Sequence, residues 1–147
     1  MQIRIQIDPA YAEPELIIRT ATVTDEINEL IARLSEARPQ AIAGFAEHGV
    51  SLLAPETILR IYAEQQKVFA ETEDGGRYAL RLRLYELEER LSGERFVRIS
   101  NSEIINLGKV KRLDLSLSGT ICMELSGGTK TFVSRRYVSK IKDILGI

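Results

Sequence analysis

The chain has 147 residues, of which 44% are hydrophobic and 28% charged, and its formal net charge is −1. These values are typical of a soluble globular protein with one sizeable core, or one core and a small appendage. No apolar run reaches membrane-spanning length, and the first residues lack the pattern of a signal peptide. The single cysteine, Cys122, cannot form an internal disulfide, which favours a reducing cytoplasm.

Two short strands are predicted at the N-terminus. Residues 1–8 alternate isoleucines with polar residues and stop at Asp8-Pro9, as a half-buried strand does. Residues 15–20 form a second apolar run of strand length. With the helix that follows they form a β-β-α unit, residues 1–38, which is too small to be stable alone, so we expect it to pack on the next domain or on a copy of itself.

A helix is predicted after these strands. Thr22 or Thr24 can cap its start, and Asp25 and Glu26 suit the positive N-terminal end. The helix runs to about residue 37 and stops at Arg38-Pro39. Its apolar residues recur at helical spacing, which indicates one buried face: Ile27, Leu30, Ile31 and Leu34.

From about residue 42 the pattern changes to short strands joined by glycine-containing turns. Strands are predicted at 41–45, 50–53, 58–63, 67–73, 77–82, 109–118, 120–126 and 129–133. Two helices interrupt or follow them. The first buries Leu84, Leu87 and Leu91, and the second, capped by Ser134, buries Tyr137, Ile141, Ile144 and Leu145. The fold class is therefore α+β and predominantly antiparallel β.

The central stretch, residues 96–107, has a strand-like entry, a polar break and a second apolar run. The break is Ser100-Asn101-Ser102-Glu103, and small polar residues between two β-prone runs form a loop or a single turn. We expect this loop to be exposed. Asn106, which closes the second run, is expected to fix the backbone.

The sequence offers no convincing enzyme site. His48 lies in a predicted turn, Cys122 lies in a predicted strand, and we see no Cys/His cluster of zinc spacing. Residues 127–131 lack the spacing of a phosphate-binding loop and predict a hairpin turn. We therefore expect no catalytic residues, no metal, no cofactor and no small-molecule substrate.

Three motifs in the C-terminal two thirds carry a resemblance. The stretch Phe96–Asn106 fits F-x-R-[IV]-x-x-S-x-[IV]-[IV]-N, residues 84–91 fit L-x-x-L-E-x-x-L, and residues 133–137 fit V-S-R-x-Y. In this order and spacing they are similar to the LytTR DNA-binding domain, the output module of many bacterial transcription regulators. The resemblance implies an elongated domain of small β-sheets with two helices, at about 42–147, that reads DNA with loops.

The resemblance also implies candidate residues for contacts with DNA bases: Asn101, Arg136 and Lys67. An asparagine amide suits the adenine edge and an arginine fork suits guanine, although Asn101 has the alternative of capping its loop and Arg136 that of a surface salt bridge. Lysine at position 67 departs from the histidine of some members, so a phosphate contact is expected there. Candidate phosphate contacts are Arg98, Ser102, Lys109, Lys111, Arg112, Arg135 and Lys140.

The charge distribution agrees with a polyanionic partner for the C-terminal part. Residues 93–147 hold ten basic and five acidic residues, whereas residues 1–92 hold ten basic and sixteen acidic ones. A basic half joined to an acidic half suggests a polyanionic partner for the basic face, and on charge alone ordinary surface scatter explains the count equally well.

The sequence therefore predicts a cytoplasmic, sequence-specific regulator that binds double-stranded DNA and is not an enzyme. Residues 1–38 are too few for a phospho-accepting receiver domain. We expect them to form a homodimer that reads paired half-sites, or to dock a partner, for which the resemblance implies a membrane protein. The alternative is a protein-interaction module that engages a partner through its acidic N-terminal half and does not bind DNA. Single-stranded RNA binding ranks below both, because the aromatic residues fall in apolar, core-like patterns.

Overall fold

The computed structural model describes residues 1–37 and 41–147. The N-terminal segment, residues 1–24, contains no helix or strand and is exposed along almost its whole length. Helix α1 (Asp25–Ala37) follows it. The Thr24 hydroxyl accepts a hydrogen bond from the Ile27 amide at 3.4 Å, which confirms Thr24 as the capping residue. The predicted helix stop at Arg38-Pro39 lies outside the described residues.

The larger of two antiparallel sheets has seven strands. They are β1 (Ile42–Ala46), β2 (Gly49–Leu53), β3 (Ile58–Glu64), β4 (Lys67–Thr72), β5 (Arg77–Leu80), β6 (Phe96–Ser100) and β7 (Glu103–Asn106). Their order across the sheet is β2-β1-β5-β4-β3-β7-β6. The central strands β3 and β4 thus connect the N-terminal hairpin on one side to the β6–β7 hairpin on the other.

The smaller sheet has three strands and lies beside the β6–β7 hairpin. It consists of β8 (Val110–Asp114), β9 (Ile121–Leu125) and β10 (Lys130–Val133), in the order β10-β9-β8. Helix α2 (Leu84–Arg90) packs on the larger sheet, and helix α3 (Arg135–Leu145) follows β10 and packs on β6. The strands predicted from residue 41 onward are all present, and the fold class is confirmed.

The β6–β7 hairpin holds the two hydrophobic cores together. Strand β7 is buried at all four positions. Its Ile104 joins the core under α2, together with Leu84, Leu87 and Leu91, as the helical stripe predicted. Its Ile105 faces the other way and joins the core under α3. A strand that is buried on both faces fixes its own register, because a slip of one residue would exchange the two sets of side chains.

Two parts of the predicted pattern are wrong for the single chain. The strands predicted at 1–8 and 15–20 are not formed, and Ile3, Ile5 and Ile7 are 87%, 86% and 91% exposed. A strand needs a hydrogen-bonding neighbour, and none of the described residues supplies one to this segment. In α3, Ile144 is 49% exposed. Val138 packs against the core instead, one turn before the buried Ile141.

Candidate nucleic-acid interface

Three chain segments meet along one edge of the molecule, which we call the loop edge. They are the β3–β4 turn at 65–66, the β6–β7 loop at 101–102, and residues 134–136 at the start of α3. The amide of Ala63, next to the first segment, donates to the Ser102 carbonyl at 2.8 Å. The Arg136 guanidinium donates to the Asn101 side-chain oxygen at 3.4 Å, which joins the second segment to the third.

Asn101 and Arg136, the two residues predicted for base contact, form an exposed pair. The Asn101 side-chain oxygen also accepts from the Tyr137 hydroxyl at 3.3 Å, and the Arg136 guanidinium lies 5.7 Å from the centre of the Tyr137 ring. Both hydrogen bonds are long and exposed, so they are weak and easily exchanged for other partners. The pair is held near one arrangement while its donors and acceptors stay available to a ligand.

Arg98 stabilises the β6–β7 loop through hydrogen bonds to the loop backbone. Its guanidinium donates to the carbonyls of Ser100 at 2.8 Å and Asn101 at 2.7 Å, and to the Glu88 carboxylate at 2.9 Å. Its side chain is 15% exposed. All three nitrogens of the fork are engaged within the chain, so this geometry favours a positioning role for Arg98 over the phosphate contact that the sequence suggested.

A buried polar network lies directly behind the loop. The Glu103 carboxylate accepts from Arg60 at 3.0 Å and from the Thr131 hydroxyl at 2.6 Å. Arg60 also forms a two-pronged pair with Glu71, at 2.8 and 2.9 Å. The hydrogen bonds from Arg60 hold the pKa of Glu71 below its ordinary value, and the same pair raises the pKa of Arg60. The network joins β3, β4 and β7 of the larger sheet to β10, the strand that leads to Arg136.

The β3–β4 turn has a strained backbone. Gln65 and Gln66 have φ angles of 50° and 65°, and no other non-glycine residue among those described has a positive φ. Two-residue hairpin turns of this shape prefer asparagine and glycine, because a side chain crowds the backbone there. Lys67 follows as an exposed residue at the start of β4. Sequence reasoning identified this loop but did not single out its glutamines, whose amides suit an adenine edge.

The remaining candidates for phosphate contact fall into two groups, one near the loop edge and one away from it. Ser102, Arg135 and Lys140 are exposed on the loop edge or on α3 beside it. Lys109 lies beyond the far end of β7 and pairs with Glu73 at 2.7 Å. Lys111 and Arg112 are exposed on β8, away from the three segments. The structure therefore brings Lys67, Ser102, Arg135 and Lys140 close to the Asn101–Arg136 pair, and it separates the other three.

Two other sequence interpretations fit the geometry. The Asn106 side chain donates to the Ile58 carbonyl at 2.9 Å and accepts from the Gly108 amide at 2.9 Å, so it fixes the backbone. His48 is exposed in the β1–β2 turn, and Cys122 is a half-buried strand residue. Within residues 1–37 and 41–147, no group of His, Cys, Asp or Glu side chains is arranged to hold a metal.

The fold is an α+β domain of two antiparallel sheets, with an exposed polar edge formed by two turns and a helix start. The profile of the LytTr DNA-binding domain matches residues 48–146. This match covers well over half of the chain, so the protein belongs to the LytTR DNA-binding domain family. None of the described helices is long and apolar enough to span a membrane.

Similar proteins agree with this assignment. A solved structure described as the LytTr DNA-binding domain of a putative methyl-accepting/DNA response regulator from Bacillus cereus superposes with a TM-score of 0.69, at 20% identity, over 73% of this chain and 97% of that one. Two Staphylococcus aureus proteins, from strains MSSA476 and NCTC 8325, are each 28% identical over 100% of this chain and 99% of their own length. Both bear the name uncharacterized HTH-type transcriptional regulator.

A helix-turn-helix is not present among the described residues of this chain. Helices α2 and α3 are separated by five strands, and α1 and α2 by another five. The exposed polar side chains of the loop edge belong to turns and to a helix start.

Proposed function

We propose that this protein is a sequence-specific transcription regulator that binds double-stranded DNA through its loop edge. The observation that supports this most is the exposed Asn101–Arg136 pair, braced by Arg98 from one side and by the Glu103 network from behind. Side chains that read bases must be available and also held in place. This pair meets both conditions.

The proposed roles follow the positions of the side chains. Arg136 reads guanine and Asn101 reads adenine, with Gln65 or Gln66 as a further reader from the β3–β4 turn. The three segments of the loop edge enter successive grooves on one face of the duplex. Lys67, Ser102, Arg135 and Lys140 contact phosphates, so binding weakens steeply as salt rises.

The proposed assembly is a homodimer on paired half-sites in the cytoplasm. Residues 1–38 supply the contact between copies, or dock a signalling partner such as a membrane protein. The free thiol of Cys122 is compatible with a reducing compartment. The protein acts without a catalytic residue, a cofactor or a small-molecule substrate, and Arg98 serves as a brace for the reading loop.

Binding to base-substituted DNA sites tests this assignment. On a site selected from random DNA, Arg136→Ala should lose about 1–3 kcal/mol, or roughly 5- to 150-fold in affinity, and should lose discrimination at one base pair. Lys140→Ala should weaken all sequences about equally and reduce the salt slope by about one. An equal loss on every sequence for Arg136→Ala would make it a phosphate contact.

A protein-interaction module is the second candidate, and the exposed apolar N-terminal segment favours it. Eight large hydrophobic residues between positions 1 and 23 are more than 40% exposed. If this segment and the acidic N-terminal half were the only functional surface, the purified protein would show no salt-dependent affinity for DNA. Binding curves at low and moderate salt therefore separate the two candidates.

A further inference from the structure

The N-terminal segment has the sequence pattern of a strand with one apolar face, although it forms no strand in the single chain. Ile3, Ile5 and Ile7 alternate with Gln2, Arg4 and Gln6, so the isoleucines share one side of the extended chain. Within the described residues, no backbone hydrogen bond engages residues 1–7, and the next turn is closed by the Tyr11 amide on the Asp8 carbonyl at 3.1 Å. Residues 1–7 thus have free backbone donors and acceptors as well as exposed side chains.

The N-terminal segment exposes a large apolar area. Besides the three isoleucines, Met1, Tyr11, Leu16, Ile17 and Val23 are 43–79% exposed. Each such side chain offers on the order of 100 Å² of apolar surface, so the whole segment presents roughly 500–800 Å². Ile3, Ile5 and Ile7 supply roughly 300 Å² of it, which is less than the roughly 800 Å² that each partner contributes to a standard protein interface. A contact made by these isoleucines therefore also needs backbone hydrogen bonds between the partners.

We propose that residues 2–8 pair antiparallel with the same residues of a second copy, about a two-fold axis at Ile5. Ile5 then faces Ile5, and Ile3 faces Ile7, so all three isoleucines of both copies meet on one face. On the other face Arg4 lies opposite Gln6, and its two diagonal neighbours in the copy are Asp8, of opposite charge, and Arg4, of like charge. The pairing deepens the proposed function, since it specifies the contact that brings two copies to paired half-sites.

Two neighbouring registers of this strand pair are less favourable by the same rules for side chains that lie opposite each other. A two-fold axis at Arg4 places Arg4 opposite its own copy, and directly opposed like charges destabilise a strand pair. An axis at Gln6 places Ile3 opposite Pro9, which lacks an amide hydrogen and therefore cannot donate a hydrogen bond to the strand pair. The axis at Ile5 alone aligns every isoleucine with another isoleucine.

Light scattering on the full chain tests the pairing with two charge variants. Ile5→Glu places two carboxylates opposite each other on the apolar face, and it should raise the dimer dissociation constant at least about 100-fold. The matched control, Gln6→Glu, adds the same charge at the next residue but lies opposite Arg4, and it should remain dimeric. A monomeric wild-type protein, an Ile5→Glu variant as dimeric as the wild type, or a monomeric Gln6→Glu variant would each overturn the proposal.

Disulfide cross-linking in a Cys122→Ser background tests the register. Residues opposite each other in an antiparallel pair have Cα atoms about 4.5–5.5 Å apart, which a disulfide can span. Ile5→Cys alone should cross-link, Ile3→Cys alone should not, and a mixture of Ile3→Cys with Ile7→Cys should. Cross-linking at Gln6→Cys in preference to Ile5→Cys would overturn the register.

Failure of the strand pairing and failure of the DNA-binding proposal give different experimental results. The Ile5→Glu monomer should keep the wild-type affinity for a single half-site and lose at least about tenfold on the paired site, because the second half-site no longer binds as part of one complex. A dimer with the expected cross-link and no affinity for DNA would overturn the proposed function and leave the pairing established.

Discussion

Replacing Glu103 with alanine should destabilise the fold more than the loss of any exposed carboxylate. Its side chain is 12% exposed and accepts from Arg60 and from the Thr131 hydroxyl. Leaving one partner of a fully buried pair uncompensated costs about 3–5 kcal/mol. Arg60 keeps its pair with Glu71 and is 20% exposed, so water and the second carboxylate reduce the cost. We expect a loss of about 2–3 kcal/mol in the free energy of unfolding.

Urea unfolding of the wild type, Glu103→Ala and a matched variant measures this loss. The matched variant is Glu64→Ala, because Glu64 also pairs with an arginine, Arg77 at 3.1 Å, but both side chains are more than half exposed. An exposed pair contributes about 0.2–1 kcal/mol. If Glu103→Ala lost no more than Glu64→Ala, the buried network would not stabilise the fold and the reasoning would be refuted.

Three further outcomes follow from the geometry around the loop edge. Gln66→Gly should stabilise the protein by about 1 kcal/mol and raise Tm by about 2–4 °C, because glycine tolerates a φ angle near 65°. An unchanged or lower Tm would show that the substitution relieves no backbone strain. Arg98→Lys should weaken specific DNA binding nearly as much as Arg98→Ala, because an ammonium cannot reproduce the three-way fork; full rescue by lysine would contradict the brace. The pKa of Glu71 is lowered from 4.5 by Arg60, so the stabilisation by this carboxylate is present above pH 4.5 and is lost as pH falls through the folded pKa. Glu71→Gln should therefore reduce the loss of folding stability that the wild type shows below pH 4.5. An equally steep loss in the variant would show that Glu71 does not cause it.

The sequence predicted the elements whose neighbours are close along the chain. The leucine stripe of α2, the hairpin turns and the strands from residue 41 onward follow from local periodicity and turn chemistry, and the structure confirms them within a few residues at most ends. The central stretch forms the two predicted apolar runs, β6 and β7, with a short exposed loop between them. The sequence did not predict that β7 contributes side chains to both cores. Local patterns were sufficient for the strands and turns whose partners are close along the chain.

The misses concern partners that are distant in sequence or absent from the single chain. Alternating isoleucines at 3, 5 and 7 show which side is apolar, but they do not say which strand will cover that side. The pairing of Lys109 with Glu73, which is 36 residues earlier, was not evident from the sequence, and the expected phosphate contact of Lys109 stays a prediction. Glu103 looked like one polar residue of a loop, although an acid at the head of an apolar run is the signal of a buried ion pair. For both Lys109 and Glu103 the partner is distant in sequence, so the local pattern did not reveal the pairing.

Selection of bound fragments from genomic or random DNA by the purified full-length protein tests the central claim most directly. The wild type should enrich a paired motif, Arg136→Ala should lose one base preference in each half, and Arg112→Ala, which removes an exposed arginine on β8, should retain the full motif. No enrichment by the wild type, together with no binding at low salt, would contradict DNA recognition by the loop edge.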